Sequence, residues 1–386
     1  MLWSTVQADQ FCTLITDGTH DSPKPQQSGW KLITSKHLKG HYIDFDSANW
    51  IGEADYLKVI SRSAVEQWDI LFSMIGTIGN IYLEKNPHVE YACKNMGIFK
   101  FSGNKENALW MYYYLKSPQA KAYIQTHLRG STQSYVPLGS LRDMPVPVPP
   151  QSVRNEIIAI LSPIDEKIEC NNAINDNLQQ QAAALFSSLY DRSNTEVRFT
   201  DLIQILGGGT PKTGENTYWN GNIAFFTPKD VGIPYTLITE KTISKEGLSH
   251  CNSRLYPVNT VFVTARGTVG KVGMSGVPMA MNQSCYALVG KETHQLLVYF
   301  YTLKAVDRLK HKASGAVFDA ITTRDFESEQ IMKLSDDDAT AFLRVAEPMF
   351  QEVLNNNIEN LRLSTLRDSL LPKLMSGEID VSAVQL

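Results

Sequence analysis

Cysteine is scarce and scattered. The five residues Cys12, Cys93, Cys170, Cys251 and Cys285 are odd in number and form no C-x-x-C pair. That pattern argues against a disulfide framework or a tetrahedral zinc site and suits reduced thiols in a cytosolic protein. Long apolar runs are missing too. No stretch approaches the ~20 apolar residues a bilayer-spanning helix needs, and the opening MLWSTVQADQF has neither the basic nor the apolar region of a secretory leader. Charge of one sign is not in excess. A net charge of −4 argues mildly against a protein that coats nucleic acid electrostatically, but leaves room for one that holds it with local basic patches. Catalytic signatures are absent as well: there is no G-x-x-x-x-G-K-[ST], G-x-G-x-x-G, H-E-x-x-H, G-x-S-x-G or N-P-P-[YF]. Nothing marks a nucleophile with its base.

What the chain does have is duplication. Residues 163–189 lie on residues 348–374 without a gap, matching Pro163 to Pro348, Asn171 to Asn356, Asn172 to Asn357, Asn175 to Asn360, Leu178 to Leu363, Leu185 to Leu370 and Leu189 to Leu374. Upstream, DILFSMIGTIGN (residues 69–80) is echoed by TVFVTARGTVGK (residues 260–271). The offset of 185 residues far exceeds a solenoid repeat, so each copy is a domain-sized globular part plus a helix. With 386 residues, 43% of them hydrophobic, the chain can bury more than one core.

The expected organisation is α/β (α+β): a mixed domain over 1–150, a helix over 151–190, a second mixed domain over 191–335, and a second helix with a tail over 336–386. PVPVPP (residues 145–150) is extended chain that no regular helix would cross. SDDD (residues 335–338) suits a helix start, and Gly377 a stop. Positions 157, 161, 164, 168, 171, 175, 178, 182, 185 and 189 alternate 4-3 spacing and are mostly apolar, which is the mark of a coiled-coil seam. Their copies run from Phe342 to Leu374.

Two consecutive seam positions are asparagine in both copies. Buried amides cost stability but fix register. Antiparallel pairing puts Asn171 against Asn360 and Asn175 against Asn356, flanked by Leu178 and Leu363. A seam of about 33 residues is roughly 50 Å long at 1.5 Å per residue, so one globular head is expected near each end. Arg367 sits on this seam, where its stem can lie along the groove with its head in water. Pro163 and Pro348 imply a kink or a late helix start.

Chemistry-bearing residues fall in turn-rich stretches. RGTVGKVG (residues 266–273) reads as strand, turn and strand presenting Arg266, Thr268 and Lys271 to a phosphate or base edge; its glycines equally suit a plain hairpin. MNQS carries Asn282 and Gln283, amides suited to bidentate adenine contacts or to a strand-end turn. TDGTHDSPK and TSKHLKG supply His20, Lys24, Lys36, His37 and Lys39. The tyrosines Tyr112–Tyr114 read as core.

Together DGTHDSP, GGGTPK…YWNGNI…TPKDV, TISKEGL, YPVNTVFVTARGTVGKV, MNQSCYAL and LRDSLLPKLMSGEI resemble the specificity subunits of type I restriction–modification systems, over nearly the whole chain. The resemblance implies a non-catalytic, cytoplasmic subunit with two target-recognition domains and two spacer helices in an antiparallel coiled coil. It would read a bipartite site in double-stranded DNA and join two methyltransferase subunits that use S-adenosylmethionine. Restriction/translocase subunits driven by ATP with Mg would complete the assembly. No cofactor, metal or membrane contact is expected in this chain. The residues expected at DNA are His20, Lys24, Lys36, His37, Thr77, Asn80, Thr210, Lys212, Lys229, Arg266, Thr268, Lys271, Asn282 and Gln283. The first copy has SMIGTIGN and CKNMG where the second has TARGTVGK and MNQSC, as expected if the two read different sequences. A specificity module of another modification or phage-defence system, or a stand-alone DNA-acting enzyme, are the alternatives.

Overall fold

The computed structural model describes residues 3–40, 42–232, 234–312 and 320–381; residues 382–386 of the expected tail lie outside them. Two compact units are formed, residues 1–169 with 363–386, and residues 170–362. Two 41-residue helices, Gln151–Asp191 and Asp336–Ser376, therefore contribute a segment to each unit.

The first unit contains β1 (Ser4–Gln7), β2 (Leu14–Asp17), β3 (Trp30–Ile33), β4 (Asn49–Ile51), β5 (Ile70–Ser73), β6 (Ile81–Leu83), β7 (Tyr91–Cys93), β8 (Met96–Lys100) and β9 (Pro145–Val148). They form a sheet of order β2-β8-β5-β6, a second of order β4-β3-β7, and the ribbon β1-β9. The second unit contains β10 (Thr195–Arg198), β11 (Ile203–Gly207), β12 (Trp219–Phe226), β13 (Tyr235–Thr236), β14 (Lys241–Ile243), β15 (Val261–Thr264), β16 (Val272–Ser275), β17 (Met279–Met281), β18 (Cys285–Gly290) and β19 (Gln330–Lys333). Its sheets are β11-β18-β15-β16-β13, β14-β12-β17 and β10-β19. The plan is the same, with β13 added at one edge. Both units mix helix and strand, as the α+β reading requires.

Why the central strands read as apolar runs follows from their position. β5 (ILFS) and β15 (VFVT) are buried at every residue, as strands covered on both faces are. Alternate side chains enter different cores. Ile70 and Phe72 join a core containing the helix Lys105–Lys116, while Leu71 joins one with Ile33, Cys93 and Ile98. In the second unit Val261 and Val263 pack with the helix Gln295–Lys312, and Phe262 packs with Phe226, Tyr256 and Met281. Tyr112, Tyr113 and Tyr114 are buried in the first core. Cys12, Cys93 and Cys285 are buried free thiols, with burial pushing the Cys285 thiol up to about 12.

The long helices show their sequence signals at both ends. Ser335 Oγ accepts from the Asp338 amide at 3.1 Å, and Asp336, Asp337 and Asp338 occupy the first turn. At the other end Gly377 takes φ +74°, and the Glu378 and Gly377 amides return to the Lys373 and Leu374 carbonyls, closing a Schellman motif. Pro163 lies inside the first helix, which already begins at Gln151, so the late start does not occur.

Within the second unit the helices run antiparallel. Asn171 donates to Asn360 Oδ1 at 2.9 Å and Asn356 donates to Asn175 Oδ1 at 2.9 Å. Asn360 donates to Asn172 Oδ1 at 2.9 Å and Asn175 to Asn357 Oδ1 at 3.0 Å. Each bond maps onto another by the 185-residue offset. Asn171 also donates to Glu359 at 2.7 Å. Leu178 packs against the same core as Phe342, Ala346 and Val353.

Within the first unit Ile157, Leu161, Leu371 and Leu374 share one core, and Leu363 is half-buried. The expectation for Arg367 needs correction. Its guanidinium is engaged less by water than by carboxylates, meeting Asp165 at 2.6 Å and Asp368 at 2.9 Å, with the side chain 16% exposed. Asp165 is itself 3.4 Å from the Lys116 ammonium, so a carboxylate within reach supplied a better partner than solvent.

Candidate nucleic-acid interface

The loops that bear the candidate residues leave one end of a parallel strand pair in each unit. In the first unit β3 and β7 pair in parallel, ending with Ile33 opposite Cys93; in the second β12 and β17 end with Phe226 opposite Met281. The amides of Lys94 and Asn282 then donate to the Ile33 and Phe226 carbonyls, each at 2.9 to 3.0 Å. After β2, Gly18 packs so closely on Cys93 that an added Cβ would lie 2.3 Å from its carbonyl oxygen; a Cβ on Gly208 would lie 2.4 Å from the Asn282 carbonyl oxygen. Only glycine fits there. The next amides, of Thr19 and Gly209, donate to the Cys93 and Met281 carbonyls.

These shared bonds place the side chains in register. His20 Nδ1 meets Asn95 Oδ1 at 2.9 Å in the first unit, and Thr210 Oγ1 donates to Gln283 Oε1 in the second. The His20 ring is also 2.8 Å from Asp17, whose backbone oxygen accepts from Arg62.

The turns between β5 and β6 and between β15 and β16 are one design used twice. Gly76 and Gly79 have φ of +76° and +88°, and Gly267 and Gly270 +80° and +74°, values that exclude other residues without strain. Thr77 Oγ1 donates to the Ser35 carbonyl at 3.1 Å, and Thr268 Oγ1 to the Pro228 carbonyl at 3.2 Å. TSKHL therefore corresponds to TPKDV, and Lys36 to Lys229; both lysines are exposed.

This correspondence corrects His37. Its expected place at DNA is ruled out by burial, at 2% exposure. Its Nδ1 accepts from the Thr34 amide at 2.9 Å, the service that Asp230 Oδ2 performs for Thr227 at 2.8 Å. Burial, with Lys36 alongside, holds the imidazole below its usual range and keeps it neutral. His37 caps its loop. Thr77 and Thr268 are exposed, but their hydroxyl protons are committed to the same anchoring.

The remaining candidates sort by unit. Lys229, Arg266, Thr268 and Asn282 line one recess of about 500 Å³ with Glu240 and Lys241. Lys229 is 3.8 Å from Glu240. Asn282 Oδ1 accepts from the Ser284 amide at 3.0 Å, and Gln283 Oε1 is held by Thr210, so neither amide offers both its atoms unengaged to adenine. Lys24, Lys212 and Lys271 are exposed. Asn80 Nδ2 donates to the Leu38 carbonyl at 3.4 Å. Sequence reasoning passed over Lys94 and Asn95, the counterparts of Asn282 and Gln283, although CKNMG had been set beside MNQSC. Among the described residues no helix is long and apolar enough to cross a membrane, and no group of three His, Cys, Asp or Glu side chains is placed to hold a metal.

The family model described as type I restriction modification DNA specificity domain matches residues 3–180 and again 192–333. The chain belongs to that family. Similar type I specificity subunits include one named for the restriction enzyme HindI, from Haemophilus influenzae, 22% identical over 83% of this chain and 88% of its own length. A putative one named for MjaX, from Methanocaldococcus jannaschii, is 19% identical over 98% and 94%. The crystal structure of a type I restriction–modification S subunit from M. genitalium covers 96% of each chain, with TM-score 0.57 and 15% identity, and shares the fold. As a specificity subunit the chain recognises DNA sequence, and both loop clusters carry exposed polar and basic side chains, among them Lys36 and Lys229.

Proposed function

We propose that this specificity subunit reads a DNA site in two parts, one with each unit, through the loops at the ends of β3/β7 and β12/β17. The observation that carries the reading is the pair of loop clusters, alike in backbone bonding and unlike in side chains. Two readers of one design with different outward chemistry are what a split, asymmetric sequence calls for. Lys24, Lys36, Lys212, Lys229 and Lys271 meet phosphates, while His20, Arg266, Asn282 and Gln283 face base edges; Thr77, Asn80, Thr210 and Thr268 hold the loops against the groove. Residues 1–150 and 191–335 form the recognition domains, and the segments 151–190 and 336–386 are spacers, with Asn171, Asn175, Asn356 and Asn360 fixing their register.

The chain itself carries out no chemistry. Its helical surfaces dock two methyltransferase subunits that use S-adenosylmethionine, and restriction/translocase subunits using ATP with Mg join them in the cytoplasm, where the DNA lies. Exchanging residues 191–335 for those of another family member and sequencing the methylated sites of the host genome tests this. One half-site changes and the other stays. If both halves changed together, or neither, reading by separate units would be wrong.

A further inference from the structure

The duplicated bonding separates what the two units share from what they do not. Shared are the glycine approaches at Gly18 and Gly208, the threonine anchors Thr77 and Thr268, and the lysines Lys36 and Lys229. Parts that are the same in both units cannot make them read different bases. Positions that carry different side chains on the same backbone frame can.

The bonding brings two such positions together in each unit, His20 with Asn95 and Thr210 with Gln283. In both pairs the amide oxygen is engaged by its neighbour, across 75 residues of sequence in the first unit and 73 in the second. An amide whose oxygen is already bonded is oriented, and its NH2 group remains as a donor for a ligand. Asn95 and Gln283 differ by one methylene, so the two donors extend to different depths from equivalent backbone.

The geometry points to these two pairs as the specificity-determining elements of their units. Each presents an amide NH2 to a major-groove acceptor (purine N7, guanine O6 or thymine O4) instead of spanning adenine with both amide atoms. This rests on the DNA-reading function proposed above and names the atoms that carry it. Thr210 acts as a positioning residue, since it holds the amide and need not touch a base, while His20 holds the Asn95 amide at the base edge it faces. Their difference in bulk and reach adds to the difference between the units.

The experiment uses the full chain, in complex with its methyltransferase subunits, to select duplexes from a library randomised at every position. The wild-type complex, Gln283→Glu, Gln283→Met and Asn95→Asp are compared. Glutamate keeps the shape of glutamine but accepts where it donated, so Gln283→Glu moves the preference at one base pair of one half-site from an acceptor-bearing base toward cytosine N4. The change is about 10- to 100-fold, as for a lost or gained base contact. Gln283→Met erases the preference at that pair, and Asn95→Asp acts on the other half-site alone. Thr210→Val, which removes only the holder, weakens discrimination at the Gln283 position without inverting it. A wild-type complex that selects no sequence would overturn the DNA-reading function itself. A wild type that selects a split site, with Gln283→Glu, Gln283→Met and Asn95→Asp selecting the same one, would overturn the assignment of the pairs and leave the function standing.

Discussion

The helix pair is built from opposite materials in the two units. In the first, Asp165 binds Arg367 at 2.6 Å and Lys116 at 3.4 Å, all three largely shielded from water. In the second, the positions that match Asp165 and Arg367 at the same offset are Phe350 and Ala182, both buried in an apolar core. There Phe186 meets Phe300, Tyr301 and Phe342 with centroids 5.0 to 5.5 Å apart, and Phe350 meets Phe300 and Tyr299. The difference teaches what each material does. Rings stabilise through buried area and dispersion, whereas buried charges scarcely repay their desolvation but reject any partner that fails to match them.

That comparison can be broken from either side. The largest effect belongs to the rings: Phe186→Ala removes the hub of the cluster and lowers the unfolding free energy of the second unit by about 3–5 kcal/mol in denaturant titration. A loss under ~1 kcal/mol would mean the rings merely fill space. Next is Asp165→Asn, which leaves the Lys116 ammonium without its carboxylate and Arg367 with Asp368 alone, and costs about 3 kcal/mol in the first unit. Replacing all three groups at once, with Lys116→Met, Asp165→Phe and Arg367→Ala, imports the second unit's solution and recovers most of that loss; a triple variant less stable than Asp165→Asn would show that the charges are favourable in themselves.

The charged cluster also leaves a pH signature. Burial, opposed by attraction to Asp165, lowers the Lys116 ammonium from 10.5 to about 8. Between those values the unfolded chain holds a proton that the folded chain has released. This group therefore makes folding more favourable as pH rises from about 8 toward 10.5, and disfavours it below. Stability measured from pH 7 to 10 rises less steeply in Lys116→Met than in wild type. Equal slopes would place the ammonium in water. Smallest is Asn175→Ala, which leaves Asn356 without its acceptor at 2.9 Å and costs about 1–2 kcal/mol; a double-mutant cycle with Asn356→Ala isolates the coupling.

The amide rungs were legible in the sequence because helix spacing is regular and the copies repeat it, so partners 189 and 181 residues apart could be named. Arg367 was misread because its partner breaks the repeat. Asp165 has phenylalanine in the other copy, and nothing local ties it to a residue 202 positions away. The paired glycines at 76 and 79 and at 267 and 270 announced a repeated turn, and the structure gives all four positive φ. His37 misled for a different reason. A histidine among lysines reads as a basic patch, and only its alignment with Asp230 shows a loop cap. Strand order was beyond reach, since strands as short as β6, β7 and β8, of three to five residues, give periodicity too little length to register.

The ribbons β1-β9 and β10-β19 have a consequence for how such chains change. Thr195 lies opposite Lys333 and Arg198 opposite Gln330 in one, and Ser4 opposite Val148 and Gln7 opposite Pro145 in the other. The chain thus enters and leaves each strand-rich part on neighbouring strands about 5 Å apart. An insert whose termini meet that same narrow gap would fit between the two strands without moving them. Genetic crossovers falling in the codons for two short strands would then hand the protein a new vocabulary while its helices go on as before.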